Sequence, residues 1–262
     1  MNKPPRITIR VSKGSLTFAV ADSSQEEQIR LEPYVARSGV SMAANLREAF
    51  KTSELLNRNT QRAQLLIDTP VLLVPIEEYR EQDIETLYTH SFPDTEGSTV
   101  MSNVLPDLNA VALFAVNKDL KLVVDDHFSD VRCTTLMRPV WNYLHHRSFA
   151  TERRKLFGHF HDGKIDIFSF ERNRFIYSNQ FSARHVKDCI YFLLFVWKQL
   201  VLSQQKDELY LSGDIPESEE LVKQLRTYIA KVSIINPSAD FNRAPMTTMK
   251  GITFDLIALY LA

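Results

Sequence analysis

Two stretches of the chain begin with the same pattern of apolar and polar positions. Arg6 to Val11 is rich in β-branched residues, and Leu16 to Val20 follows the turn Ser12-Lys13-Gly14. Two such runs around a short glycine-containing turn predict a β-hairpin. After the polar loop Asp22 to Glu27, Gln28 to Tyr34 supplies a third strand. From Ser41 to Leu56 the pattern turns helical, with Leu46, Ala49, Phe50 and Leu56 roughly on one side. Val71 to Val74 is a continuous apolar run, the mark of a strand covered on both faces, and Glu77 to His90 reads as a second helix.

The second stretch opens at Lys155. Leu156 to His161 and Lys164 to Phe170 flank Asp162-Gly163, and Asp-Gly between alternating residues is a strong hairpin signal. Arg172-Asn173 makes another tight turn, and Arg174 to Phe181 returns as a third strand. Ser182 is the expected N-cap of a helix that runs to about Leu202. Its middle, Ile190 to Trp197, is apolar on every side, which predicts a buried helix. Glu208 to Leu211 then reads as a strand and Ser212-Gly213-Asp214 as a turn. A helix follows, with Pro216 near its start, acidic Glu217, Glu219 and Glu220 in its first turn, and a stripe of Leu221, Leu225, Tyr228 and Ile229. Val232 to Ile235 is a further strand.

Both stretches therefore read β-β-β-α-β-α, a structural duplication in an α/β fold. The expected division is a first lobe over residues 1–150 and a second over 151–262. An added segment of about 98–150 contributes a strand (Ala110 to Val116), a helix (Lys118 to Phe128), a strand (Val131 to Leu136) and a helix (Pro139 to Phe149). The apolar tail, Ile252 to Leu261, predicts a helix docked on the body.

Composition narrows the function classes. A formal net charge of −1 over 262 residues argues against a nucleic-acid partner or an anionic membrane held by bulk charge. Two isolated cysteines, Cys133 and Cys189, make neither a disulfide framework nor a four-ligand zinc site. The first residues carry no apolar leader, and the run Cys189 to Trp197 falls short of the ~20 residues of a bilayer-spanning helix. A cytoplasmic protein without a membrane span is the expectation. The chain has only 7 glycines, and phosphate-cradling loops need that residue. Rossmann, P-loop and nucleophile-elbow spacings are absent from the sequence.

Three antiparallel strands, a helix, a strand and a helix, used twice, is similar to the actin-like ATPase superfamily on the ribonuclease-H-like fold. The strings LFGHFHDGKIDIFSF, FIYSNQFSARHVKDCIYFLLFVWKQL and LYLSGDIPESEELVKQLRTYI also resemble an uncharacterised bacterial domain-of-unknown-function family. The opening ITIRVSKGSLTFAV and the segment VLLVPIEEY resemble the first half of that family. The superfamily resemblance implies an interlobe cleft in which the first hairpin of each lobe cradles phosphate through an Asp-x-Gly pattern, while a Gly-Gly turn holds adenosine. The positions that match are Gly14 in the first hairpin, Asp162, Gly163 and Asp166 in the second, and Gly213 with Asp214 at the adenosine turn. The first hairpin carries Arg10, Ser12 and Gly14 but no aspartate. Asp214 stands where the second glycine belongs, and its carboxylate would repel phosphate.

The expectation is a catalytically degenerate module, a pseudoenzyme that binds a protein partner and needs no cofactor. The alternative is a divergent ATPase or phosphotransferase using Asp162, Asp166 and Gly213. Two other chemistries stay open. A two-residue turn pairs His161 with Lys164, Phe160 with Ile165 and His159 with Asp166, placing His159, His161 and Asp166 on one face as a possible metal set. Asp166, Asp188 and Asp214 could serve a two-metal nuclease. Cys189, beside a buried run, is expected to pack rather than react.

Overall fold

The computed structural model describes residues 5–22, 24–149 and 152–262. They form two compact units. The first takes in the described residues of Met1–Leu105, Ala110–Arg138 and Ala244–Ile252; the second takes in Pro106–Asn109, Pro139–Arg243 and Thr253–Ala262.

The first unit opens with β1 (Ile7–Val11), β2 (Ser15–Ala21) and β3 (Ile29–Val35), a meander whose first turn is closed by the Ser12 N–H donating to the Ser15 carbonyl at 3.0 Å. Helix α1 (Met42–Thr52) starts at Ser41, whose hydroxyl accepts from the Ala44 N–H. It buries Leu46, Ala49 and Phe50 on one side, as its spacing predicts. The strand that α1 leads to is β4 (Arg62–Ile67), parallel to β1 and buried along most of its length. Next come β5 (Val71–Pro75), α2 (Ile84–Ser91), β6 (Ser98–Leu105) and β7 (Ala110–Asn117). Helix α3 (Lys118–His127), β8 (Asp130–Thr135) and α4 (Met137–Ser148) follow.

The main sheet has the order β3-β2-β1-β4-β8, and the other three strands form their own antiparallel sheet, β5-β7-β6. Val71 to Val74 is thus not the two-sided strand its composition suggests. It is a half-buried edge strand of an inserted sheet, and the strand covered by neighbours on both sides is β4. Residues 118–135 complete the main sheet rather than extending it. Alternate residues of β7 serve two cores. Phe114 and Val116 pack with α1 and α3, while Val111 and Leu113 pack with Tyr88 of α2. The Asn103 carboxamide joins β6 to the edge of β8. It donates to the Cys133 carbonyl at 3.1 Å and accepts from the Thr135 N–H at 3.2 Å. At the other end of the sheet, Arg6 and Arg62 both reach the Asp130 carboxylate and hold its pKa below the usual range.

The second unit repeats the plan. Strands β9 (Lys155–His161), β10 (Lys164–Glu171) and β11 (Arg174–Ser182) form the meander. Then come α5 (Val186–Gln199), β12 (Glu208–Gly213), α6 (Ser218–Leu225), β13 (Val232–Ile234), the short α7 (Pro237–Asp240) and α8 (Phe254–Leu261). The sheet order is β11-β10-β9-β12-β13, the same as in the first unit. One face of this sheet packs Leu156, Phe160, Ile165 and Ile167 against Cys189, Leu193 and Val196 of α5 and Leu221 and Leu225 of α6. Ser182 is not the cap of α5; it is the last residue of β11, and His185 stands at the cap without a side-chain bond. Nor is α5 buried all round, because Tyr191 and Phe195 face solvent. Among the described residues no helix is long and apolar enough to cross a membrane.

Candidate functional site

Each unit offers one candidate. In the first, β1 and β4 are parallel neighbours whose carboxyl ends stop together, the usual place for a ligand crevice in an open α/β sheet. A recess of about 570 Å³ lies there. Val11, Ile67, Tyr88, Phe92 and Leu120 supply apolar walls, and Ser12, Thr69 and Asn117 supply polar groups. Tyr88 is held by donating its hydroxyl to the Pro70 carbonyl at 2.7 Å. The hairpin turn that borders the recess carries Lys13 and Gly14, both exposed, and a methyl group added at Gly14 would meet nothing within 4 Å. Arg10, one pleat back from the turn, is buried.

In the second unit the Asp162-Gly163 turn has φ of 48° and 74°, both in the left-handed region that a two-residue primed turn demands. The register is the expected one, with His161 opposite Lys164, Phe160 opposite Ile165 and His159 opposite Asp166. One of the hydrogen bonds here runs diagonally and two join register partners. His161 Nε2 lies 2.6 Å from Asp166 Oδ2, the Gln180 amide donates to the same oxygen at 3.1 Å, and His159 Nδ1 lies 3.0 Å from the Ser212 hydroxyl. Gln180 is the register partner of Asp166, and Ser212 that of His159. A polar strip therefore crosses four strands of the sheet, and His159, His161, Asp166 and Ser212 are all buried. Sequence reading missed Gln180 and Ser212. Their signal is register alone, because neither residue type stands out.

The strip orients His161 and Asp166 toward each other. It does not assemble the metal trios. Neither His159, His161 and Asp166 nor Asp166, Asp188 and Asp214 bring their ligand atoms within 4.8 Å of one another. Asp188 sits exposed in the first turn of α5 and Asp214 exposed beyond β12, whereas Asp166 is buried in the sheet face. Gly213 has φ of 86°, and a Cβ there would lie 2.0 Å from the Phe160 carbonyl oxygen. That oxygen accepts the Asp214 N–H at 2.9 Å, so the glycine lets the end of β12 close on β9. Burial pushes the Cys189 thiol up to about 11, which suits packing and not nucleophilic attack. Nearby, Tyr143 donates to Asp240 at 2.6 Å, and burial together with that carboxylate pushes the phenol up to about 12.

Comparison with known proteins agrees with this architecture. A family model described as "Protein of unknown function (DUF3822)" matches residues 3–232. A crystal structure from Bacteroides thetaiotaomicron, of a protein with actin-like ATPase fold and unknown function, superposes with a TM-score of 0.82 at 26% identity, covering 95% of this chain and 97% of that one. A chain of the PilM–PilN type IV pilus biogenesis complex superposes with a TM-score of 0.60 at 11% identity, covering 99% and 98%, and shows the fold alone. No curated protein matches the sequence. The fold is the duplicated ribonuclease-H-like arrangement of actin-like ATPases.

Proposed function

The chain belongs to the DUF3822 family of proteins of unknown function, and from that premise we propose that it is a binding or scaffold module on an actin-like frame that does not turn over ATP. The carrying observation is the employment of Asp166. Its carboxylate is buried and engaged with His161 and Gln180, so it is poorly placed to activate a water or hold a hydrated cation. The neighbouring positions support the same reading. Gly213 serves the approach of β12 to the Phe160 carbonyl, Asp214 adds a negative charge, Asp162 and Gly163 shape a turn, and the first hairpin offers Gly14 without a carboxylate. On this reading Gly14, Asp162, Gly163, Asp166, Gly213 and Asp214 mark inherited nucleotide positions that now serve the fold.

The partner is a protein. The PilM–PilN complex is a case of this fold standing in an assembly. The recess of the first unit, with apolar walls and a few polar groups, is large enough to receive a side chain of that partner.

Thermal melting with magnesium and ATP or ADP, paired with a phosphate-release assay, tests the proposal. The expected result is an unchanged melting temperature and no release above a blank. Saturation at about 100 times Kd would add roughly 2.7 kcal/mol of stability, which melting detects. Such a rise, accompanied by release that Asp166→Asn abolishes, would establish the ATPase alternative instead.

A further inference from the structure

Strand β13 is the last strand of the second unit's sheet, and on it Ser233 is exposed and Ile234 is 47% exposed. The bonds to β12 fix which residues turn outward. The Lys231 carbonyl accepts from the Leu209 N–H at 2.9 Å, and the Ile235 N–H donates to the Leu211 carbonyl at 2.8 Å. In a parallel ladder alternate residues bond to the same neighbour, so Val232 and Ile234 turn their N–H and C=O groups to the outer edge. Arg226 marks the same phase by donating to the Val232 carbonyl at 3.0 Å. Along this edge runs a groove of about 550 Å³, between Ile234 and a face of α6 that carries Glu219, Val222, Lys223 and Arg226. An edge with outward backbone groups is a template for a further strand. The α6 face beside it is polarised, with Glu219 at its start and Lys223 and Arg226 at its end.

We propose that a second copy of the chain covers this edge, with β13 of one copy antiparallel to β13 of the other about a two-fold axis normal to the sheet. Such an axis reverses a strand and the helix above it together, so α6 lies beside α6 of the other copy, antiparallel and on the same face of the joined sheet. The bond from Arg226 to Val232 sets the level of the axis. Ile234 lies about 7 Å along β13 from Val232. The midpoint of Val222 and Lys223 lies about 5 Å back along α6 from Arg226. Crossover helix and strand run in opposite directions, so a single axis passes close to both places. Ile234 then meets the partner's Ile234, and their outward N–H and C=O groups make the reciprocal two-bond pair of an antiparallel ladder. On the helices Glu219 comes level with the partner's Arg226, and symmetry repeats the contact. Helix α6 packs Leu221 and Leu225 over Leu209 of β12 and Val232 of β13. A strand spacing of about 4.8 Å therefore sets the two α6 helices about 10 Å apart, the ordinary distance between packed helices. An anion at one end of the α6 face and cations at the other suit an antiparallel copy of the same helix. This surface is separate from the recess of the first unit, and the inference does not depend on whether the protein binds nucleotide.

Sedimentation equilibrium of the full chain from roughly 1 to 100 μM tests this, a range that spans ordinary dimer affinities. The expected mass at the upper end is twice the 30.2 kDa of the chain. Ile234→Pro removes an outward N–H and leaves the bonds to β12 in place, and it should weaken the dimer roughly 30-fold or more through the two reciprocal bonds. Glu219→Lys sets like charges against the partner's Arg226 twice and should weaken it roughly tenfold. Ile234→Cys, placed on the axis at a Cα separation of about 5.5 Å, should cross-link to itself under mild oxidation and give a covalent dimer absent from the wild type. That cross-link keeps the test decisive if the proline variant folds poorly. Wild-type monomer throughout would overturn the proposal and leave the edge to a strand of another protein. A dimer that Ile234→Pro leaves intact, or Ile234→Cys that does not cross-link, would overturn it as well.

Discussion

Replacing Gly213 by alanine separates a glycine kept for the fold from one kept for a ligand. The added methyl would lie 2.0 Å from the Phe160 carbonyl oxygen and 3.0 Å from His159 Cε1, on a residue whose φ is 86°. The first obstacle is backbone, so no rotamer change relieves it. Holding alanine in the left-handed region costs about 1–2 kcal/mol. Moving β12 away breaks the 2.9 Å bond from the Asp214 N–H and leaves a buried carbonyl unpaired, a further ~1–3 kcal/mol. The sum is about 2–5 kcal/mol, or roughly 4–20 °C of melting temperature for a chain of this size. Gly14 is the control, since its φ is not positive and its methyl would meet nothing within 4 Å. Gly14→Ala should be neutral, or stabilising by about 0.4–1 kcal/mol through the unfolded chain. Urea unfolding reads both variants. The two tryptophans, Trp141 and Trp197, belong to the second unit and report on Gly213 by fluorescence, while circular dichroism follows the whole chain. A loss below about 1 kcal/mol at Gly213, or an equal loss at Gly14, would refute the reasoning.

Two further expectations follow from single contacts. Asn103→Ala removes the carboxamide that serves the Cys133 carbonyl and the Thr135 N–H, and should cost ~1–3 kcal/mol with faster hydrogen exchange at the Thr135 amide; unchanged exchange there would contradict it. His145 is buried with Nε2 placed 2.8 Å from the Arg172 carbonyl, and burial lowers its pKa from the ordinary 6.5. The unfolded chain therefore takes up a proton that the folded one refuses, and stability should fall as pH drops below about 6.5. His145→Gln should flatten that part of the pH profile, and an unaltered slope would assign it to another group.

Local chemistry settled much of this fold before any tertiary contact. Asp162-Gly163 specifies its turn because its two φ values are positive, and the turn sets the pairing of β9 with β10 residue by residue. The two meanders, α1 and α3 are legible for the same reason, because their signals lie within a few neighbouring residues. Tertiary structure decided what depends on non-local partners. Whether Val71–Pro75 or Arg62–Ile67 is the central strand turns on which strands flank it, and the apolar content of each run is silent on that. Tyr191 and Phe195 lie in the same run, Ile190 to Trp197, as Leu193, but of the three only Leu193 meets the sheet. The site divides along the same line. Two histidines and an aspartate on one face were readable from register, whereas the diagonal bond of His161 to Asp166, and the recruitment of Gln180 and Ser212, follow from how four strands align. A sequence encodes the geometry of its own turns directly. What a side chain touches across a sheet is set by chain segments far away, and so appears only in the folded molecule.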